Sequence, residues 1–194
     1  LRVEVTDLNT VNIVLCGLGG QGILFMTKIL AEYALKRGIP VLGAETHGMA
    51  QRGGSVVSHL RLGETRSSLV PAGKAGFLIA LDPWEAYRSL PFLGEGALLC
   101  VNSPDGDFPN DAVKTYMTTH GIKCFTADAS RIAGRMGGPL STNLALLGFF
   151  SSLPDISPFS HEGLSETIGL VSPDRFREVN LKVFEAGFEE GKRL

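Results

Sequence analysis

A strand, a glycine-rich turn, a helix and a second strand follow one another within residues 11–43, and this succession limits the fold more than any other feature of the chain. Val11–Cys16 is a continuous apolar run after a polar start, the pattern of a strand buried on both faces. Gly17-Leu18-Gly19-Gly20-Gln21-Gly22 comes next. A helix opening at Gly20 or Gln21 is expected to run to Arg37 and to close at Gly38, in the C′ position that favours glycine. Its apolar residues (Ile23, Met26, Ile29, Leu30, Tyr33, Ala34) span a wide face, as required of a helix lying on a sheet. Ile39–Gly43 supplies the second strand, and the β–α–β order predicts a right-handed parallel pair in an α/β fold.

Beyond this unit the pattern changes. Ser55–Leu62 alternates, with Val56, Ser58, Leu60 and Leu62 on one face and Val57, His59 and Arg61 on the other. Gly63-Glu64 reads as a turn, after which Arg66–Val70 is expected to return as a hairpin, forming a small second sheet or an edge addition. Strands are expected at Phe77–Leu81, Ala97–Val101 and Ile122–Phe125. Asp82 and Pro83 form an N-cap and first-turn pair for a helix over Trp84–Leu90. Further helices are expected over Asp111–His120, Ala127–Arg135, Leu140–Leu153, Ser160–Ile168 and Pro173–Glu190. The Leu140–Leu153 segment is apolar all round and so buried, with Phe149, Phe150 and Phe159 either in the core or on a partner-facing surface. The last helix carries Phe176, Val179, Val183, Phe184 and Phe188 on one face. No repeat or linker divides the chain, which reads as a single domain over residues 1–194.

Composition removes several classes of function. A chain of 194 residues can bury roughly 70% of its unfolded surface without staples. The net charge is −2 and no basic stripe exists, which argues against nucleic acid as a partner. No apolar run approaches the roughly 18 residues a membrane helix needs, and no secretory leader pattern is recognised. Cys16, Cys100 and Cys124 are dispersed, odd in number and free of C-x-x-C spacing, which fits a reducing cytoplasm.

Two segments concentrate polar chemistry. In the first, Gly17, Gly19 and Gly22 satisfy G-x-G-x-x-G between a strand and a helix, and Glu45 lies 23 residues beyond Gly22. This is the arrangement of a dinucleotide site of NAD or FAD type, with the helix N-terminus toward the phosphates and the acid on the ribose. The chain after Glu45 argues against it, running into glycines and an alternating strand where a crossover helix belongs. A Walker phosphate loop is excluded, because Ile23 follows Gly22 where that loop has lysine. The plain alternative is that these glycines only allow the helix to start close to neighbouring strands.

The second segment, residues 43–54, reads Gly-Ala-Glu-Thr-His-Gly-Met-Ala-Gln-Arg-Gly-Gly and is expected to be a long loop off the sheet. Gln51 and the Gly53-Gly54 pair flank Arg52. Its guanidinium suits a phosphate or carboxylate in fork geometry, and equally a structural ion pair with Glu45. His47 is either an acid–base group or a hydrogen-bonded structural residue, and His59 reads as a cross-strand residue.

Taken together, Gly17–Gly22 and the run from Glu45 to Arg61 (Glu-Thr-His-Gly-Met-Ala-Gln-Arg-Gly-Gly-Ser-Val-Val-Ser-His-Leu-Arg) resemble the gamma-type domain of 2-oxoacid:ferredoxin oxidoreductases. The likeness extends through Asp82, through Asn143 in Asn-x-x-x-Leu-Gly, and through Asn180-Leu-x-x-Phe-x-x-Gly187. Within the family the motif is most similar to the beta subunit of the indolepyruvate branch, although Leu81-Asp82-Pro83 stands where that branch more often has Glu-Pro. The resemblance implies a three-layer β/β/α swivelling domain: a mainly parallel central sheet, helices on one side and a small antiparallel sheet on the other. It implies oxidative decarboxylation of a 2-oxoacid with coenzyme A to acyl-CoA and carbon dioxide, with electrons passing to ferredoxin. That chemistry needs thiamine diphosphate and iron–sulfur clusters, and three dispersed cysteines cannot hold a cluster. Asp105-Gly106-Asp107 only echoes a thiamine diphosphate motif and reads as a turn. The resemblance therefore implies a subunit without catalytic residues or bound cofactors of its own, inactive alone. A larger subunit would carry thiamine diphosphate and the clusters. Gly17, Gly19, Gly20, Gln21, Gly22, Glu45, His47, Gln51, Arg52, Gly53 and Gly54 are the candidates for the mouth of the active site and the coenzyme A site.

Overall fold

A computed structural model describes residues 10–47 and 53–194. Six strands form one sheet in the order β2-β3-β1-β4-β5-β6. They are β1 (Val11–Leu18), β2 (Val41–His47), β3 (Ser55–Leu62), β4 (Ala75–Ala80), β5 (Leu93–Asn102) and β6 (Lys123–Ala127). β1, β4, β5 and β6 run parallel, while β3 is antiparallel to both β1 and β2. The helices are α1 (Ile23–Lys36), α2 (Pro83–Ser89), α3 (Asp111–Thr119), α4 (Ala129–Arg135), α5 (Thr142–Ser151), α6 (His161–Val171) and α7 (Asp174–Gly191).

The α/β class and the mainly parallel sheet follow the sequence pattern, but the opening unit differs from it. β1 and β2 do run in the same direction, yet β3 lies between them and pairs with both. Because both edges of β3 are occupied, Arg66–Val70 has no free edge to pair with and forms no strand. Side chains hold that segment instead. Arg61 donates to Asn12 Oδ1 (2.8 Å) and to the Ser67 carbonyl (3.1 Å), and the Val70 N–H donates to His59 Nδ1 (3.3 Å). The antiparallel strands therefore extend the central sheet at one side rather than forming a separate layer.

Alternation along the strands divides the core in two. Ile13, Leu15, Val56, Leu60, Phe77 and Ile79 face α1 and the α4–α7 group, whereas Val14, Cys16, Leu78, Ala80 and Leu99 face α2, α3 and the segment at Val70. Each face of the sheet is thus covered by helices, with the larger group on the side of α1. Helix ends follow the sequence cues. α1 closes with Gly38 at φ +71°, its N–H on the Leu35 carbonyl and that of Ile39 on the Ala34 carbonyl, a Schellman closure. Asp82 caps α2 by accepting from the Trp84 and Glu85 N–H groups. Ser160 accepts from Gly163 N at the start of α6.

α5 is buried from Asn143 to Ser151, and Phe149, Phe150 and Phe159 belong to the core. α5 crosses α7 backbone to backbone. A Cβ at Gly148 would collide with the Phe184 carbonyl, and one at Gly187 with the Ala145 carbonyl. The buried face of α7 is accordingly Asn180, Val183, Phe184, Gly187 and Gly191, while Phe176, expected in the apolar stripe, is 45% exposed.

Candidate functional site

The carboxyl ends of β1, β4, β5 and β6, the end of β2 and the start of β3 all lie along one side of the sheet. Open α/β sheets bind ligands at this side. Leu18 pairs with Ser55, and the ladder continues past the strand ends: Gly19 N–H donates to the Gly54 carbonyl (2.8 Å) and Gly53 N–H to the Gly19 carbonyl (3.2 Å). Two sequence segments more than thirty residues apart thereby become one surface.

Within the first segment the glycines divide by role. Gly17 is closely packed, since a Cβ there would lie 2.6 Å from Gln21 Oε1 and 2.9 Å from Ile23 Cδ1. Gly22 is the N-cap of α1 at φ +85°, and its Cβ position faces Asn143 Nδ2 at 2.5 Å. Asn143 Nδ2 also donates to the Gly22 carbonyl (3.1 Å), so α5 anchors the start of α1. Gln21 folds back to accept the Leu18 N–H (2.7 Å). Close packing, the plain alternative, accounts for Gly17 and Gly22. A Cβ on Gly20 or Gly53 would meet nothing within 4 Å. α1 begins without a side-chain cap or an acidic first-turn residue, leaving its N-terminal dipole end uncompensated by its own side chains.

The second segment is not all loop. Residues 43–47 continue β2, with Glu45 opposite Ser58 and His47 opposite Val56. Glu45 lines a cavity of about 320 Å³ with Thr27, Gly43, Ala44 and Ser58, on the flank of the sheet. It lies two strands from β1, about 10 Å across. A dinucleotide site needs the acid on the strand adjacent to the glycine turn. The intervening β3 removes that adjacency, and with it support for the NAD or FAD reading. Gln51 and Arg52 lie outside the described residues.

Three groups that support the ends of these strands escape a reading of motifs. Glu85 is buried at 1% exposure, accepts from Ser55 Oγ (2.5 Å) and pairs with Arg88 (2.7 Å), tying the start of β3 to α2. Beneath it, burial pushes the Cys16 thiol up to about 12, and the nearby Glu85 and Asp82 charges add to the rise. Asn102, at the end of β5, donates to the Leu81 carbonyl and accepts the Ala129 N–H, joining β4, β5 and α4. A signal for Glu85 exists in sequence, since it follows the Asp82 cap by one turn, but burial of a charged residue is not visible there.

Elsewhere Ser151, His161 and Glu185 form a hydrogen-bonded row, with 3.2 Å from Ser151 Oγ to His161 Nδ1 and 3.2 Å from His161 Nε2 to Glu185. It is structural. The Ser151 hydroxyl donates to the Gly148 carbonyl at 2.6 Å, and the imidazole is stacked on Phe184 and Phe188. His59 is also structural, its charged form disfavoured by burial and its Nδ1 accepting the Val70 N–H.

The donor set does not suit an iron–sulfur cluster. Cys16, Cys100 and Cys124 lie on separate strands, and burial raises all three thiols, Cys124 to about 11. Among the described residues no group of three or more His, Cys, Asp or Glu side chains is placed to hold a metal. No helix among them is long and apolar enough to cross a membrane.

The profile of the family described as pyruvate ferredoxin/flavodoxin oxidoreductase matches residues 12–190. Indolepyruvate oxidoreductase subunit IorB of Methanothermobacter thermautotrophicus is 36% identical over 188 residues, covering 91% of this chain and 95% of its own. The gamma subunit of a keto/oxoacid ferredoxin oxidoreductase from Geobacter sulfurreducens shares the fold, with a TM-score of 0.75 at 24% identity over 95% of this chain and 99% of that one. A 2-oxoglutarate:ferredoxin oxidoreductase from Magnetococcus marinus, solved with 2-oxoglutarate, coenzyme A and succinyl-CoA bound, also gives 0.75, at 22% identity over 95% of this chain and 31% of its own. With a family model matched over residues 12–190 and a relative 36% identical over most of both chains, the chain belongs to the pyruvate ferredoxin/flavodoxin oxidoreductase family.

Proposed function

We propose that this chain is the gamma-type subunit of an indolepyruvate-type 2-oxoacid:ferredoxin oxidoreductase. The complex oxidatively decarboxylates a 2-oxoacid with coenzyme A, giving acyl-CoA and carbon dioxide and reducing ferredoxin. The observation that carries this reading is the near full-length similarity to the indolepyruvate subunit, together with the Glu-x-His-Gly-Met-x-Gln-Arg-Gly-Gly motif. A larger partner subunit in the same compartment, the cytoplasm, supplies thiamine diphosphate and the iron–sulfur clusters. The three cysteines of this chain, each on a different strand, support that division of labour.

The part assigned to this chain is one wall of the active-site mouth. Gly19, Gly20, Gly53 and Gly54 offer backbone close to the surface, the uncapped start of α1 favours anions, and Arg52 supplies a fork-shaped cation for a phosphate or carboxylate. Gly17, Gln21 and Gly22 shape that wall from behind. Glu45 and His47 border it along β2. Bound coenzyme A in the related 2-oxoglutarate enzyme supports coenzyme A as a co-substrate of the complex.

The test is reconstitution with the larger subunit and a viologen-reduction assay with indolepyruvate and coenzyme A. Turnover is expected from the complex and not from this chain alone. Arg52→Ala is expected to raise the KM for coenzyme A with assembly intact. Unchanged coenzyme A dependence with weakened assembly would instead make the segment a docking element. Turnover by the isolated chain would overturn the assignment of chemistry to the partner.

A further inference from the structure

A second concave surface lies beside α2, beyond the carboxyl ends of β4 and β5. It is a cavity of about 430 Å³ lined by Pro83, Trp84, Tyr87, Pro104, Phe108 and Asn110 together with Ser103, Asp105 and Asp107. Trp84 is 72% exposed, the most exposed aromatic side chain described. Its ring leads into a row, 5.9 Å to Tyr87 and then 4.7 Å from Tyr87 to Phe108. The row is held in place, because Tyr87 Oη accepts the Asn110 N–H at 2.8 Å and Phe108 is buried.

The charge at this surface has one sign. Asp105 and Asp107 are exposed on the rim, and among the described residues no lysine, arginine or histidine lines the cavity. The cations nearby in sequence are engaged elsewhere, Arg88 with Glu85 and Lys114 with Asp111. Two carboxylates with no ion-pair partner among the described residues disfavour a phosphate or carboxylate ligand. An open aromatic face beside them suits a delocalised cation, which gains from the ring quadrupole and from charge-assisted hydrogen bonds together. Guanidinium meets both demands better than ammonium, being planar, weakly hydrated and able to stack.

We propose that this cavity is a docking site for a protein partner that inserts an arginine side chain between Trp84 and the Asp105–Asp107 rim. The inference uses only the chemistry of the cavity and does not depend on the coenzyme A reading of the glycine segments. Trp84 is the only tryptophan in the chain, so its emission reports on the site directly. The probe is the peptide N-acetyl-Gly-Arg-Gly-amide, titrated into the full chain at low salt. The uncharged citrulline counterpart and a glutamate counterpart serve as comparisons.

A saturable change in emission is expected with the arginine peptide, with a Kd in the millimolar range as befits a single side chain, on the order of 1–10 mM. The citrulline peptide and the Asp105→Asn/Asp107→Asn variant are each expected to bind roughly tenfold more weakly, as for loss of a pair of exposed charge contacts. Both aspartates are exposed, so the variant tests charge without disturbing the core. No change in emission up to about 50 mM peptide would overturn the proposal, as a millimolar site would be saturated there. An equal response to citrulline or glutamate, or an unaltered Kd in the double variant, would overturn it as well.

Discussion

Replacing Gly148 by alanine tests the contact on which the helical layer depends. In an isolated helix the change is favourable by about 1 kcal/mol, because alanine has the higher helix propensity. In this chain the added methyl group meets the Phe184 carbonyl of α7, and beyond it the Phe188 N at 3.0 Å. Both are backbone atoms and cannot rotate away, so α5 and α7 must separate. Separation loosens the packing of Val183 and Phe184, each fully buried. Overpacking of this kind costs up to about 3 kcal/mol. Set against the propensity gain, a net loss of about 2 kcal/mol remains, or a fall in Tm of roughly 4–8 °C for a domain of this size. Gly134→Ala is the matched control, since that glycine sits in α4 with nothing within 4 Å of its Cβ position. It should raise stability by about 0.5–1 kcal/mol. Thermal and urea denaturation of the two variants read the difference in sign. If Gly148→Ala also raised Tm, α5 and α7 would not be in backbone contact and the account of the helical layer would fail.

Other outcomes follow from the same geometry. Ser55→Ala leaves the buried Glu85 carboxylate with one donor fewer and should cost about 1–3 kcal/mol in urea denaturation; an unchanged midpoint would mean that solvent already reaches that carboxylate. Asn143→Ala removes the anchor on the Gly22 carbonyl and should speed hydrogen exchange at the first amides of α1, with the centre of that helix unaffected. The thiols give a pH dependence. Cys16 and Cys124 are raised from 9.0 to about 12 and about 11, so the native state holds protons that the unfolded chain releases above pH 9. Stability is therefore full below pH 9 and declines as pH rises toward 11–12, with a loss at pH 10 of about 1.4 kcal/mol for each of these two groups. Cys124→Ala should flatten the measured slope, and an identical slope would refute the linkage.

Much of this arrangement is legible in the residue pattern, and the exceptions have specific causes. The faces of β3 follow directly from alternation, and the ends of α1 and α2 from Gly38 and from Asp82-Pro83, because local chemistry decides each of them. The insertion of β3 between β1 and β2 is not local: nothing in β–α–β order reveals which strand will be a neighbour. Glycine and polar residues over 43–47 predict a loop, yet β2 is the outer strand of its sheet and tolerates exposed polar side chains there. Asn143, Gly148, Asn180 and Gly187 stand out as a motif, but their reason lies in tertiary contacts. Asn143 holds Gly22, the two glycines let the helices touch, and Asn180 donates to Ser172 Oγ and accepts from Ser141. For the candidate site, the motifs single out Gly19 and Gly53-Gly54, which the structure joins by backbone hydrogen bonds, while the support from Glu85 is recognised only once its burial is known.

The pairing of β2 with β3 also bears on how the molecule assembles. It is the one hairpin among the described residues, with seven consecutive pairs from Val41–Leu62 to His47–Val56. Every other neighbouring pair of strands brings together stretches separated by a helix or by another strand. Local loop closure is the least costly in chain entropy, so this hairpin can form before the central strand β1 arrives. β1 then docks along an edge whose register is already set, and its arrival brings Gly19 to Gly53-Gly54. A slip of one residue would turn Val56, Ser58 and Leu60 to the opposite face and misplace both glycine segments at once. Both glycine segments therefore depend on one alignment of three strands, so an error in pairing at β3 would be felt at the surface they form together.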